Sequence, residues 1–313
     1  MRSFTGHFIK SLLFGSIGWS GVLLSSTPPA LPIEEIEGGV YLFSGHQAMA
    51  DKQNAGAIAN IGFIVGNNCV AVIDSGGSPE QGKQLMAAVH SVTTKPVCYV
   101  INTHVHPDHI LGNLAFKPQG AQFVGHQELP RAMALRGEHY LKTASRSLGF
   151  ALPVEAIVMP DTVVRETLKI DLGGRLLILT AYPAAHTDND LTVFDENTGT
   201  LWLSDLLFVK HVPVLDGSIN GWLSVIDQLQ KKQVNLAIPG HGAITHSLSQ
   251  ALEPEKRYLQ TVRREIKEVI KQGGGMEMAL EKVGLSEKEH WLLFEQFHKR
   301  TVSAAFAELE WEE

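Results

Sequence analysis

Apolar residues fall along this chain in two alternating patterns. Residues 40–43 and 57–65 are short β-rich runs on either side of a polar, glycine-bounded stretch, residues 44–56. Residues 69–73 are continuously apolar and run into Asp74-Ser75-Gly76-Gly77, which predicts a buried strand ending in a glycine turn. Residues 79–91 place Leu85, Met86 and Val89 on one face of a helix. Residues 97–101 are again a buried strand, ending at Asn102-Thr103-His104. Strand, helix and strand in that order predict a βαβ unit with parallel pairing.

Further on, a strand at 122–124 precedes a helix at 127–148. Strand patterns then dominate, at 163–170, 176–180, 191–194 and 201–204, with Asn197-Thr198-Gly199 as a hairpin turn. A helix at 222–231 and a strand at 236–238 follow. From Pro254 onward only helical spacing remains: residues 255–272, a break at Gly273-Gly274-Gly275, then two more stretches. In the last of these, Leu292, Leu293, Phe294, Phe297, Val302, Phe306 and Leu309 form an apolar stripe suited to docking. Two strand groups flanked by helices predict an α/β protein, a four-layer αββα sandwich with a C-terminal helical extension. The sandwich is expected over residues 31–250 and the extension over 251–313.

The first 30 residues read differently. Arg2 and Lys10 precede an uncharged, mostly apolar run at 11–24, followed by small residues at 25–27. That run is shorter than the roughly 20 residues a membrane-spanning helix needs and has the layout of a secretory signal. The mature protein is therefore expected in the periplasm or outside the cell, with no stable membrane insertion after cleavage.

Composition narrows the chemistry. The 313 residues carry 26 Lys+Arg and 33 Asp+Glu, a net charge of −7, with 44% hydrophobic and 19% charged residues. This is a globular composition without basic clusters, which argues against nucleic acid as a partner. Two cysteines, Cys69 and Cys98, are too few for a disulfide framework or an all-cysteine zinc site. Both fall in buried strands and read as packed thiols, with a disulfide left open by export. The count that stands out is 14 histidines.

Their spacing shows which act together. His104-Val105-His106-Pro107-Asp108-His109 directly follows a buried strand. Imidazole and carboxylate suit Zn²⁺, and also iron and manganese. Ligands this close in sequence divide more naturally between two ions than around one. His186, Asp205 and His241 each come just past a predicted strand, where layered α/β folds place their chemistry. The remaining histidines read as surface or core residues; two of them stand apart, His46 in the polar loop 44–56 and His211 just after the Asp205 region.

These residues resemble the metallo-β-lactamase superfamily, whose motif is His-x-His-x-Asp-His followed by a His, an Asp and a His. The resemblance covers roughly residues 35–246 and implies the αββα sandwich. It implies His104, His106 and His186 as ligands of one metal, and Asp108, His109 and His241 as ligands of a second. Asp205 corresponds to the bridging carboxylate, and Asp74 to an Asp supporting the ligand loop. Residues 102–116 are most similar to an exported subgroup, the quinoprotein relay system zinc metallohydrolases, which implies an exported quinoprotein-dehydrogenase system as a partner.

The chemistry implied is hydrolysis of a small molecule. Two zinc ions about 3.5–4 Å apart share a water and lower its pKa towards ~7, so no Ser or Cys nucleophile is needed. Asp108 would bind the second ion and orient the hydroxide as the catalytic residue. An ester, thioester, lactone or amide-type bond is the expected target. Other readings are a β-lactamase-type antibiotic hydrolase, a mononuclear iron enzyme like persulfide dioxygenase, and a non-enzymatic metal-binding partner of an exported redox system. Asp205 stands where one β-lactamase subclass has Cys and another Ser, which separates this chain from both. Residues 44–56 are similar to the family's flap: Met49 and Ile58 are expected to shield the metals, and His46 or Asn54 to touch substrate.

Overall fold

The structure is a computed structural model and describes residues 1–2 and 28–312. The secretory-signal pattern lies almost wholly outside the described residues. Among the described residues, no helix is long and apolar enough to cross a membrane.

Two sheets face each other. The first runs β1 (Glu34–Glu37), β2 (Val40–Phe43), β3 (Ile61–Val65), β4 (Val70–Ile73), β5 (Val97–Ile101), β6 (Gln122–His126) and β7 (Thr162–Val164), in that spatial order. Its first four strands are antiparallel and its last four parallel, β4 belonging to both sets. The second contains β8 (Thr167–Asp171), β9 (Leu176–Ala181), β10 (Leu191–Asp195), β11 (Thr200–Phe208) and β12 (Leu236–His241), with only β11 and β12 parallel. Helices α1 (Pro79–Val92), α2 (Pro107–Ile110) and α3 (Leu129–Leu148) come from the first half. Helices α4 (Ile219–Leu229), α5 (Leu248–Lys271), α6 (Met276–Lys282) and α7 (Phe294–Leu309) come from the second.

The period-two alternation of the strands makes the layers. Val70 and Val72 of β4 point outward and pack with Leu85, Ala88 and Val89 of α1. Ala71 and Ile73 point inward and meet Leu177, Leu179 and Trp202 of the other sheet. Leu201 and Leu203 of β11 point away again, into a cluster with Trp222, Tyr258 and Phe306 from three of the later helices. The result is the expected four-layer αββα sandwich. Gly62 lets the sheets close: a Cβ there would come within 2.9 Å of the buried Trp202 ring. The start of α1 is fixed by Ser78, whose side chain accepts from Gln81 N, while Gln81 Oε1 reaches back to Gly77 N at 2.8 Å.

Three local expectations need correction, and one strand lies outside them. The strand at 57–65 begins only at Ile61, because Asn60 is drawn across to the other sheet, donating to Pro239 O and Gly242 O, both at 2.8 Å. The strand at 163–170 is two strands in two sheets, the chain crossing between them at Arg165 and Glu166. Pro254 does not precede the long helix but lies within α5; it is exposed, as is Gln250 one turn earlier, so water can meet the freed carbonyl. β1 was not predicted: Glu34-Glu35-Ile36-Glu37 is too acidic to look like a strand, and it is one at the exposed sheet edge.

The C-terminal helices are fastened to the sandwich. Phe294, Val302, Phe306 and Leu309 of α7 are buried, whereas Leu292 remains half exposed. Glu308 accepts from Ile219 N at 2.6 Å and Ser218 Oγ at 2.8 Å, placing a carboxylate at the N-terminus of α4. Thr301 Oγ1 donates to Pro213 O at 2.9 Å. Through these contacts α7 is brought to the edge where β5, β11 and β12 end.

Candidate metal centre

The residues of the motif reach one point from different elements. β5 ends at Ile101 and delivers His104 and His106 in the following turn. Pro107 then opens α2, which carries Asp108 and His109. His186 sits in a tight turn after β9, closed by Ala185 N to Thr187 O at 2.8 Å and by Thr187 N to Asp190 Oδ2 at 2.9 Å. Burial pushes the Asp190 carboxyl up to about 8, despite the Thr187 donors.

Asp205 does not follow its strand as expected but lies within β11. Ser204 takes a left-handed backbone, φ 51°, and the β11–β12 register breaks there, which turns Asp205 into the site. Gly240 opposite has no side chain because a Cβ would collide with Asp205 Oδ1. His241 closes β12, and Asn60 holds the turn around it from both sides.

Two clusters result, each able to hold a metal ion. His104, His106, His186 and Asp205 form one, and Asp108, His109 and His241 the other; within each, the ligand atoms lie within 4.8 Å of one another. Asp205 touches both. Its Oδ2 lies 3.3 Å from His186 Nε2 and 3.5 Å from His241 Nε2, and its Oδ1 lies 3.3 Å from His109 Nε2.

Each imidazole has its outer nitrogen fixed. His109 Nδ1 lies 2.8 Å from Asp74 Oδ2, His106 Nε2 3.0 Å from Asp216 Oδ2, and His186 Nδ1 2.6 Å from Val214 O. His241 Nδ1 lies 3.0 Å from Ile58 O, and His104 Nδ1 3.1 Å from Thr103 Oγ1. Acceptors at these positions orient the rings and leave the other nitrogen free for a metal. Asp74 also accepts from Thr103 N at 2.8 Å, so a single carboxylate braces both the His104 turn and His109. The ligand loop is stiffened further by a reciprocal amide pair, Asn113 Nδ2 to Asn102 Oδ1 at 2.7 Å and Asn102 Nδ2 to Asn113 Oδ1 at 3.1 Å.

The residues fit a cation. His104 Nε2, His109 Nε2 and Asp205 Oδ1 are buried without a hydrogen-bond partner, a costly arrangement unless something binds there. The electrostatics agree. Burial, with the neighbouring His109, holds His104 well below the ordinary imidazole range, and burial lowers His186 to about 3. In the other cluster burial opposes charge, but Asp205 and Asp108 outweigh it and lift His109 well above the ordinary range and His241 to about 9. The same imidazoles hold Asp108 and Asp205 well below the usual carboxylate range against their burial.

A cavity of about 640 Å³ opens over the clusters. Asp108, Asp205, His106, His186 and His241 form its floor. Met49 and Ile58 from the loop before β3 form one side, α3 another, and Phe297 and Arg300 of α7 a third.

The structure therefore brings together His104, His106, Asp108, His109, His186, Asp205 and His241, and gives Asp74 its ring. Met49 and Ile58 reach the cavity as expected, but His46 and Asn54 do not line it. Asn54 is spent within its own loop, its Oδ1 accepting from Asp51 N and Gly56 N and its Nδ2 donating to Met49 O. His46 packs edge-on against Phe43. His211, set aside in the sequence, lines the cavity, with its ring centroid 4.9 Å from that of His241. Its Nδ1 bonds Val212 O at 2.7 Å, and burial holds its pKa at about 4. Asp216, Arg136, Tyr140 and Arg300 were missed, since nothing in their local sequence marks them.

Comparison with known proteins places the chain. The pattern of the Metallo-beta-lactamase superfamily matches residues 55–241. A metallo-beta-lactamase type 2 from Bacillus sp. (strain 170) is 25% identical over 199 residues, covering 61% of this chain and 70% of the relative. A linear primary-alkylsulfatase from Pseudomonas sp. (strain ATCC 19151) is 38% identical over 207 residues, 55% of this chain but only 39% of the relative. Among solved structures, a double mutant of the sec-alkyl sulfatase PisA1 is similar in fold with TM-score 0.66 and 14% identity, over 88% of this chain and 50% of that one.

Proposed function

The chain belongs to the Metallo-beta-lactamase superfamily, and from that premise we propose that it is an exported hydrolase that works with two zinc ions. The observation carrying this reading is Asp205, whose two oxygens face both ligand clusters within 3.3–3.5 Å of His186, His241 and His109. When bound, a pair of zinc ions supplies a water acidic enough to act as hydroxide near neutral pH and a Lewis acid for the substrate oxygen. Iron or manganese would also suit the donors.

The chain's own residues do the rest. His104, His106 and His186 would hold one ion and Asp108, His109 and His241 the other, with Asp205 between them. Asp108 also lines the cavity, so its carboxylate can take a hydrogen bond from the attacking water and orient it. Met49, Ile58 and Phe297 line the cavity with apolar surface beside the floor. The target is an ester, thioester, lactone or amide-type bond. A sulfate ester is the second reading, supported by the alkylsulfatase similarity of 38% over 207 residues.

Export is supported by the basic-then-apolar start, and an exported quinoprotein-dehydrogenase system as partner by residues 102–116. A reporter active only after export, fused to residues 1–35, tests the first: no activity ends the localisation reading and leaves the metal centre untouched. Metal analysis of the purified mature protein and a panel of ester, thioester, lactone, β-lactam and alkyl sulfate substrates test the hydrolase. Full zinc loading with no turnover on the panel would leave a metal-binding partner as the better reading.

A further inference from the structure

Where α3 and α7 meet, the side of the cavity carries charged groups outside the two ligand clusters. Asp216 sits between the floor and this side. Its Oδ2 accepts from His106 Nε2 at 3.0 Å and from Arg136 Nη1 at 2.7 Å, and Arg300 Nη2 lies 3.5 Å away. Arg136 comes from α3 and Arg300 from α7, so two distant segments converge on one carboxylate. Two guanidiniums against one carboxylate leave a surplus positive charge, since His106 reaches Asp216 as a metal-facing imidazole.

The donors are also in surplus. Each guanidinium presents several N–H groups in a planar fork matched to oxyanions. Only one contact from each is directed at Asp216, with the Tyr140 hydroxyl beside Arg136. Both side chains stay open, 30% exposed for Arg136 and 49% for Arg300, and both line the cavity. An ion pair serving stability alone would not need a second guanidinium facing the cavity. The lining also offers apolar surface beside these charges: Met49 is 46% and Leu135, next to Arg136 on α3, 70% exposed, interspersed with the polar His139, Thr143 and Ser147.

We propose that Arg136 and Arg300 are a substrate-binding site for an oxyanion, and that the substrate is an amphiphilic anion. Its carboxylate, sulfate or sulfonate group lies against the two guanidiniums. Its apolar body lies along Leu135, Met49 and Phe297. The reading rests on the cavity being the substrate site, and it specifies which substrates enter. Asp216 then has two roles, holding His106 and setting the distance between the arginines and the metal floor.

The test is binding, so it does not depend on turnover. Octanesulfonate, a poor metal ligand, is titrated calorimetrically into the zinc-loaded protein, with the neutral octyl glucoside as comparator. The wild type is expected to bind the sulfonate more tightly than the glucoside. That preference should weaken as salt rises, because partly exposed charges are screened. Arg136→Gln and Arg300→Gln are each expected to weaken sulfonate binding about tenfold, as loss of a charge-assisted contact implies. Arg→Lys at either position should restore part of it. Metal content measured on every variant separates loss of the anion site from damage to His106. Equal affinity for sulfonate and glucoside in the unaltered protein, or Gln variants that bind sulfonate as the wild type does, would overturn the proposal. Sulfonate binding without hydrolysis on any panel would leave it standing and remove the hydrolase reading instead.

Discussion

The floor of the cavity and its wall are built by opposite rules. On the floor every outer ring nitrogen is committed: five imidazoles each have an outer partner, and Asp74 alone takes hydrogen bonds from both Thr103 and His109. On the wall the groups are only partly committed: Arg136 and Arg300 each direct one contact at Asp216, and Met49 and Leu135 are open to the cavity. A committed floor fixes reacting groups closely, which chemistry requires. A partly committed wall keeps donors and apolar surface in reserve for a ligand. Changes to the floor should therefore lower the rate on all substrates, and changes to the wall should reorder substrates.

The largest expected effect tests the floor. Asp108→Ala removes a ligand and the carboxylate that orients water, so kcat on any substrate found should fall by at least about a hundredfold. The unfolding midpoint should change far less. Full activity with full metal content would mean that the second cluster has been misread. Asp216→Asn probes the seam between floor and wall. Weakening the acceptor for His106 is expected to cost about 10–100-fold in metal affinity, recoverable by adding zinc. If metal affinity is unchanged and only anion binding moves, Asp216 belongs to the wall alone.

Shortening residues 47–55 touches the wall by itself. Ile58 and Asn60, which hold His241 and its turn, lie outside the deletion. Metal content should stay the same, while KM rises or kcat/KM falls severalfold, as for a loop that supplies binding and excludes water. Unchanged kinetics would remove this loop from the substrate site.

The smallest effect lies behind the floor. Glu255 of α5 is fully buried; its Oε1 accepts from Phe208 N at 3.1 Å and its Oε2 is unpartnered. Burial, with Asp205 nearby, raises its pKa well above the ordinary carboxylate value. The folded state therefore keeps a proton that the unfolded chain loses near the normal carboxylate pKa. Stability contributed here falls as pH rises from that value towards the raised one. Glu255→Gln should flatten the dependence, with a gain over wild type that grows between pH 5 and pH 8 in urea unfolding. A constant difference across that range would show that Glu255 does not titrate in it.

The floor was far more legible in the sequence than the wall. His104 to His109 stand together, and His186 and His241 fall after or at the end of a strand, so these candidate ligands could be read from spacing; Asp205 was singled out too, although it lies inside β11 rather than past it. The layers could be read only in outline, since Val70 to Ile73 and most of β11 are apolar on both faces and leave no alternation to say which side meets which layer. The outer partners were only partly legible. Asp74 was visible as a polar residue ending an apolar run, but Val214 O and Ile58 O are backbone atoms and leave no sequence signal. Arg136 and Arg300 are ordinary helix-surface residues by pattern. They meet only because α7 folds back over the sandwich through Glu308 and Thr301, contacts no local pattern encodes. Ser204 was missed because a left-handed backbone at a serine is set by β11 pairing out of register with β12, not by the residue itself.

The most direct test counts ions against turnover. Metal-free protein is titrated with zinc, the ions per chain are read by native mass spectrometry, and hydrolysis of the best panel substrate is measured at each step. Two ions per chain are expected, with turnover rising to its full value only as the second binds and Asp205→Ala failing to reach that state. Full turnover at one ion per chain, or an Asp205→Ala variant that binds two ions and turns over like the wild type, would contradict a centre shared between the two clusters.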